Sequence, residues 1–235
     1  MTSRLRAALA APDSKSRYVR RLFSTIAERY DLITRVLSYG QDRRWKARLV
    51  KLSAARPGLR ALDLACGTGD IAFALASRGA NVVGLDITHR MVQLARTKGG
   101  AARFVTGDML ALPFGNEAFD IVTTGYGLRN VPDIPRAVAE MRRVLKPGGV
   151  ALVLEFSRVA APLAPAYDWY SFNVLPRLGK LIANDAASYR YLAESIRVHP
   201  DQQELGAMME SAGFECVEWF NLSAGVVALH RGHVF

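Results

Sequence analysis

The string "DLACGTGD" sets an acid, Asp63, four residues ahead of Gly67, adds Gly69 and opens into Asp70. A glycine-rich turn after a strand lets a ligand approach the backbone N–H groups at the start of the next helix. Gly67-x-Gly69-x-x-Ala72 meets the loose dinucleotide fingerprint, and Asp86, 17 positions after Gly69, stands near where a ribose-binding acid belongs. On the glycines alone a purely structural turn reads the same way. Asp63 separates the candidate ligands: its carboxylate repels a pyrophosphate at the turn but favours the ammonium and sulfonium of S-adenosylmethionine. Asp86 would then accept from both ribose hydroxyls, and Asp108, in "GDMLALPF", sits where an adenine amino group could be met. Three acids at three consecutive strand ends converge, because the carboxyl ends of an open parallel sheet face one crevice. A second cluster, "LRNVPD", places Arg129 beside Asn130 just past an apolar run.

These residues need a scaffold, and alternating β and α patterns supply it. The pattern predicts a strand at Arg60–Leu64, a helix over 70–77, a strand over 81–85, a helix through "MVQLARTK" with Thr88 as N-cap, and a strand at Arg103–Thr106. "AFDIVTT" and "GVALVLEF" read as buried parallel strands separated by the helical "IPRAVAEMRRVL", which the Lys146, Pro147, Gly148 and Gly149 run closes. "ECVEWF" and "GVVALH" have only a short link and predict a final antiparallel pair. Residues 15–55 and most of 165–212 read as helical.

With 235 residues, half of them hydrophobic, the chain most simply forms one large α/β domain. Its longest apolar run, 150–156 with Glu155 inside, falls far short of the roughly 18 to 20 residues needed to span a bilayer, which predicts a soluble or peripheral protein. Cys66 and Cys216 show no CxxC spacing and fit a reducing cytoplasm. His89, His199, His230 and His233 show no metal spacing, so no metal is expected. The charge of +10 is lopsided: the first 60 residues hold 15 Lys/Arg against 4 Asp/Glu, and the other 175 hold 16 against 17. Such an arm suits nucleic acid, an anionic membrane, an acidic partner or only solvent. Its Arg- and Ser-rich start is compatible with a transit peptide, although nothing marks a cleavage site.

"DLACGTGD", "VVGLDIT", "GDMLALPF", "FDIVTTGYGLRNVPD" and "RVLKPGG" resemble class I S-adenosylmethionine-dependent methyltransferases. "FSTIAERYDLITRVLSYGQDRRW", "LVLEFS", "ASYRYLAESIRVHPDQQEL" and "NLSAGVVALHRG" narrow the resemblance to the ubiquinone/menaquinone biosynthesis C-methyltransferases, from about residue 18 onward. The resemblance implies a Rossmann-like α/β fold, with a mostly parallel seven-stranded sheet, a C-terminal antiparallel strand and N-terminal helices. It divides the chain into an arm or lid over 1–55 and a methyltransferase domain over 56–235, with a helical insertion at about 160–200. It implies methyl transfer to a ring carbon of a polyprenylated quinol, in the cytoplasm or peripherally at the inner face of the membrane. Family cofactor positions fall on Thr68, Asp86 and the Asp108–Met109 pair; with Asp63, Gly67, Gly69 and Gly125 they make up the expected cofactor set. Thr34 stands where the family usually has Asn, and Gly125 where some members have Ser.

A quinol ring carbon becomes a strong nucleophile only as a hydroxyl loses its proton, so the site should favour the phenolate. Arg129, with a pKa above 12, suits stabilising that oxygen or orienting a water rather than acting as a base. Asn130 can donate to the same oxygen. Tyr30 is expected to close over the substrate, and Asp70 to accept a hydroxyl proton or the cofactor's amino group. Each has a plainer role: Arg129 paired with Asp133, Asn130 capping a turn, Asp70 favouring a helix dipole, Tyr30 in the core. The basic arm, with Leu22, Phe23, Ile26 and Tyr30 at helical spacing, suits docking on anionic lipid. A homodimer or biosynthetic complex stays open. Nucleic acid is disfavoured, as no NPPY-like string or catalytic Cys pair is present. A non-catalytic quinol-binding subunit and a methyltransferase for another small molecule or RNA remain as alternatives; Asp63 disfavours an NAD oxidoreductase.

Overall fold

The computed structural model describes residues 12–163, 165, 169 and 186–235. Helices α1 (Pro12–Ile26), α2 (Tyr30–Leu37) and α3 (Gln41–Leu52) lead into β1 (Arg60–Leu64), α4 (Asp70–Ala76), β2 (Asn81–Asp86), α5 (His89–Thr97), β3 (Arg103–Thr106) and β4 (Phe119–Gly125). A 3-10 turn at Leu128–Asn130, then α6 (Ile134–Val144), β5 (Leu145–Phe156), α7 (Ala186–Arg197), α8 (Gln202–Ser211), β6 (Glu215–Leu222) and β7 (Val227–His233) follow, with two further 3-10 turns at Ala27–Arg29 and Ser223–Gly225. The middle of the expected 160–200 insertion and the first 11 residues lie outside the described residues.

The sheet order is β3-β2-β1-β4-β5-β7-β6. The first five strands are parallel, and β7 runs antiparallel between β5 and β6. The expected terminal hairpin is present, with its second strand innermost. Central strands are apolar on both sides because both faces are covered. Ala61, Val82, Ile121, Leu152 and Leu229 pack in one core with Trp45 and Leu49 of α3, Leu75 of α4 and Val92 of α5. Their strand neighbours Leu62, Leu85, Val122 and Val153 pack in the other, with Val138 and Met141 of α6 and Met209 of α8.

Local chemistry explains the boundaries. Asp133 caps α6 by accepting from Arg136 N–H, with Pro135 in the first turn. Asp201 and Glu204 form a reciprocal capping box on α8. Thr88 holds the N-cap position of α5 but its side chain makes no cap bond; its own N–H donates to Asp86 Oδ1 instead, at 2.8 Å. β5 starts at Leu145, earlier than the apolar run suggests: Leu145 pairs with Phe119 before the ladder slips and resumes at Val150 opposite Ile121. Between them, the Gly148 N–H bonds Val234 O, and the Val234 N–H bonds Gly149 O.

Strand order reverses between β1 and β4, opening a crevice at their carboxyl ends. Both strands leave the sheet through strained non-glycine residues, Ala65 at φ 51° and Tyr126 at φ 61°. The two turns touch: a Cβ on Gly127 would lie 2.3 Å from that of Ala65.

Leu62→Ala removes a fully buried side chain from β1. Urea unfolding should show a loss of about 2–5 kcal/mol. A loss well under 1 kcal/mol would mean that the core beneath the crevice is not close-packed.

Candidate active site

One pocket opens at the reversal point, lined among others by Tyr30, Gly67, Asp86, Asp108, Met109, Gly125 and Asn130. Asp86, at the last position of β2, is fixed by two backbone donors, Gly67 N–H to Oδ2 at 2.9 Å and Thr88 N–H to Oδ1 at 2.8 Å. Burial raises its carboxyl above the usual range, opposed by those bonds. Asp108 takes Leu110 N–H on Oδ1 at 2.9 Å, an Asx turn that leaves Oδ2 free of that bond. A Cβ on Gly125 would lie 2.6 Å from Ile71 Cδ1, so a side chain there requires the tip of Ile71 to move. Gly69, at φ +92°, is confined by Phe73 and Phe104, each 2.8 Å from a notional Cβ.

Asp63 lies buried beneath the glycine turn rather than in the pocket wall. Thr123 Oγ1 donates to Oδ1 at 2.8 Å. Oδ2 has no partner of good hydrogen-bond geometry, although the Ala72 amide is near enough to favour its charge. Burial outweighs these contacts and pushes the carboxyl up to about 7.

The N-terminal helices cover the opening. Ser16, Val19, Phe23 and Tyr30 join the pocket lining, and the Phe23 ring meets Tyr30 edge-on at 5.9 Å. Burial raises the Tyr30 phenol, so it stays protonated at neutral pH. Thr68 is turned to the cover: its hydroxyl donates to Asp31 Oδ1 at 2.6 Å. Asp31 also pairs with Lys98 at 2.8 Å, and Glu28 pairs with Arg90. Leu22 and Phe23 pack toward Val19 and Tyr191, so the apolar side of α1 faces inward, while Arg17, Arg20 and Arg21 face solvent.

Asp70 lies outside the pocket lining, half-exposed and paired with Lys46 at 2.8 Å and Lys98 at 3.5 Å. Burial opposes its charge, but the two ammonium groups outweigh it and hold the carboxyl below its usual range. A carboxylate so paired is a weak base.

The Leu128–Asn130 turn is buried throughout. Arg129 does not pair with Asp133, which is occupied in capping α6. Its Nη1 donates to Glu155 Oε1 and to Tyr126 O, both at 2.6 Å, and its backbone N–H donates to Glu155 Oε2 at 3.2 Å. The guanidinium also lies 5.1 Å from the Phe156 ring centre. Burial works against its charge, but Glu155 more than offsets this and holds it above the ordinary range. Nε is buried without a partner among the described residues. Asn130 Nδ2 donates to Tyr126 O at 3.2 Å, and Tyr191 Oη donates to Asn130 Oδ1 at 3.1 Å. From α1, Lys15 Nζ donates to the carbonyls of Arg129 at 3.2 Å and Val131 at 2.6 Å.

Sequence reasoning missed Glu155, Lys15, Asp31, Tyr126 and Tyr191. Glu155 left a signal, a carboxylate inside an otherwise unbroken apolar strand, which is stable only opposite a buried cation. Among the described residues, no group of three His, Cys, Asp or Glu side chains is placed to hold a metal.

The model of the ubiE/COQ5 methyltransferase family matches residues 11–234. A "Ubiquinone/menaquinone biosynthesis C-methyltransferase UbiE" of Bordetella parapertussis is 52% identical over 225 residues, covering 93% of this chain and 87% of the relative. The protein of the same name from Escherichia coli is 48% identical over 235 residues, covering 96% and 94%. Among solved structures, an S-adenosylmethionine-dependent methyltransferase from Thermotoga maritima superposes with a TM-score of 0.65 at 22% identity, covering 91% of this chain and 98% of that one. At that identity the likeness shows the class I methyltransferase fold alone. The family match and the two relatives extend over nearly the whole chain, pocket and cover included, and this chain belongs to the ubiE/COQ5 methyltransferase family.

Proposed function

We propose that the pocket holds S-adenosylmethionine against the strand-end acids and a polyprenylated quinol against the Leu128–Asn130 turn. The chain is an S-adenosylmethionine-dependent C-methyltransferase of ubiquinone and menaquinone biosynthesis. The observation that carries the division of labour is that Asp86, Asp108 and Asn130 line one pocket from three different strand ends.

The residues present fit the methyl donor. Asp86 is oriented by two backbone donors yet keeps lone pairs for ribose hydroxyls. Met109 and Tyr126 supply apolar walls, and Gly67 and Gly125 line the pocket with backbone alone. Asp63, with one poorly satisfied oxygen in the interior, sits where a cation above the turn would offset its charge. When bound, the donor supplies an electrophilic methyl group on a sulfonium.

The chain's own part is to make the ring carbon nucleophilic and to exclude water. Asn130 donates to the quinol oxygen and so favours the phenolate. Arg129 stands behind it as a strut: one Nη1 bond goes to Glu155, which balances its charge, and the other to Tyr126 O of the turn. Arg129 does not line the pocket and its Nε is buried, so it acts on the quinol through Asn130 and the turn backbone. Tyr30 and Phe23 shut the opening, and Thr68 ties the glycine turn to that cover. Asp70, held in its ion pairs, orders Lys46 and Lys98 beside the cofactor turn.

Among the described residues, no helix is long and apolar enough to cross a membrane. An isoprenoid substrate resides in lipid, and the exposed Arg17, Arg20 and Arg21, with exposed Leu32 and Tyr39 on the cover, suit peripheral docking on an anionic surface.

Offered labelled S-adenosylmethionine with reduced demethylmenaquinol or a demethylated benzoquinol, the protein should methylate at least one. Asn130→Ala should lower kcat by about 10²-fold with cofactor affinity unchanged. Asn130 is the better probe, since removing Arg129 would strand Glu155 in the interior at about 3–5 kcal/mol. Normal cofactor binding with neither quinol methylated would sink the quinol assignment.

Asp63 also makes stability depend on pH. Its folded pKa is raised, so its contribution is present below the unfolded value of 3.8 and lost as pH rises through about 7. Asp63→Asn should remove that decline in melting temperature between pH 4 and 7. Cofactor binding to wild type near pH 7 should release protons, read by calorimetry in buffers of different ionisation heat; no difference between buffers would count against a cation above Asp63.

Co-sedimentation with vesicles should increase with anionic lipid and decrease when Arg17, Arg20 and Arg21 are changed together to Gln. Binding that ignores lipid charge would contradict peripheral docking.

A further inference from the structure

The Asn130 amide is held from two sides, and one of the two holds comes from a helix more than 50 residues downstream. Tyr126 O must face an N–H, and it already accepts from Arg129 Nη1. It therefore fixes Nδ2 on its own side and turns Oδ1 toward α7, where only a donor is compatible. Tyr191 Oη is that donor, at 3.1 Å. Both side chains are buried, Asn130 at 9% exposure and Tyr191 at 2%. One Nδ2 hydrogen is spent on Tyr126 O; the other has no acceptor among the described residues, and Asn130 lines the pocket.

We infer that Tyr191 is a positioning residue: its hydroxyl locks the Asn130 amide so that the remaining N–H presents to the pocket and selects an acceptor whose oxygen can take a hydrogen bond. This rests on the methyl-transfer reading above. Flipping the amide would set its oxygen against Tyr126 O and turn an acceptor toward the substrate, which would repel a phenolate. The Tyr191 ring is seated against α1, 5.3 Å from the Tyr18 ring and beside Val19. Lys15, on that same helix, grips the carbonyls on either side of Asn130. Seating α1 thus organises the turn through its backbone and the Asn130 amide through Tyr191. Burial pushes the Tyr191 phenol up to about 12, which keeps the donor protonated.

A double-mutant cycle on the full chain tests this, comparing wild type, Tyr191→Phe, Asn130→Ala and the double variant. Each is assayed for transfer from labelled S-adenosylmethionine to the reduced quinol and for cofactor Kd. Phe keeps the ring and its seat against Tyr18. Tyr191→Phe should lower kcat about fivefold to tenfold, the worth of one neutral hydrogen bond, with cofactor Kd within about twofold of wild type. The double variant should be no slower than Asn130→Ala alone, because the hydroxyl acts only through the amide. A structural role would instead multiply the two losses or weaken cofactor binding in Tyr191→Phe, and either result overturns the inference, as does a wild-type kcat in Tyr191→Phe. These failures leave the wild type active on the quinol. A wild type that binds cofactor and methylates neither quinol overturns the methyl-transfer reading and this inference with it.

Discussion

A guanidinium taken out of water must find a carboxylate and further hydrogen-bond partners, or the fold pays several kcal/mol. Arg129 meets that demand with Glu155, and the pair determines much else in the site. Glu155 belongs to β5 and Arg129 to the turn after β4, so the contact fastens that turn to the neighbouring strand. Glu155 accepts from both the side chain and the backbone of Arg129, and Tyr126 O accepts from Arg129 and Asn130. The strained φ of Tyr126 and the tight approach of Gly127 to Ala65 follow from holding this turn against the one after β1. Nearby His199 has both ring nitrogens buried without a partner among the described residues, and burial keeps it neutral. The imidazole thus adds no positive charge of its own beside the pair.

Positioned in this way, the two halves of the pocket are prepared by different means. On the cofactor side, Asp86 and Asp108 are aimed by backbone amides of their own loops and of the glycine turn. On the acceptor side, the turn is gripped by Lys15, Tyr191 and, through Tyr191, Tyr18. That half is complete only when α1 is seated. Cofactor binding and acceptor binding therefore draw on different parts of the chain, although they share one cavity.

Much of the sheet was legible because buried parallel strands are apolar without interruption and because acids at their ends have little reason to be there except a ligand. Asp86, Asp108 and Gly67 came from that logic and share the pocket with Gly125, which only the family resemblance supplied. Patterns of this kind are local and do not say which distant residue completes a contact. The placement of β7 between β5 and β6 depends on pairings across some 70 residues, and no periodicity encodes them. Asp133 was the nearest acid to Arg129 in sequence, but it was already committed to a helix cap, and the true partner lay 26 residues on. The inward face of α1 was legible as amphipathic, yet a helix stripe reads the same whether it meets lipid or a protein surface.

The cover over the pocket is fastened by two kinds of contact that respond differently to temperature. Its ion pairs, Asp31 with Lys98 and Glu28 with Arg90, are substantially exposed and contribute little individually. Phe23 against Tyr30 and Tyr18 against Tyr191 instead remove aromatic surface from water. Closure driven by apolar burial weakens on cooling, because its entropic driving force fades. The cover is accordingly a thermal element: on cooling, the aromatic part of its hold weakens, and with it the seat of α1 against Tyr191, whose hydroxyl holds Asn130.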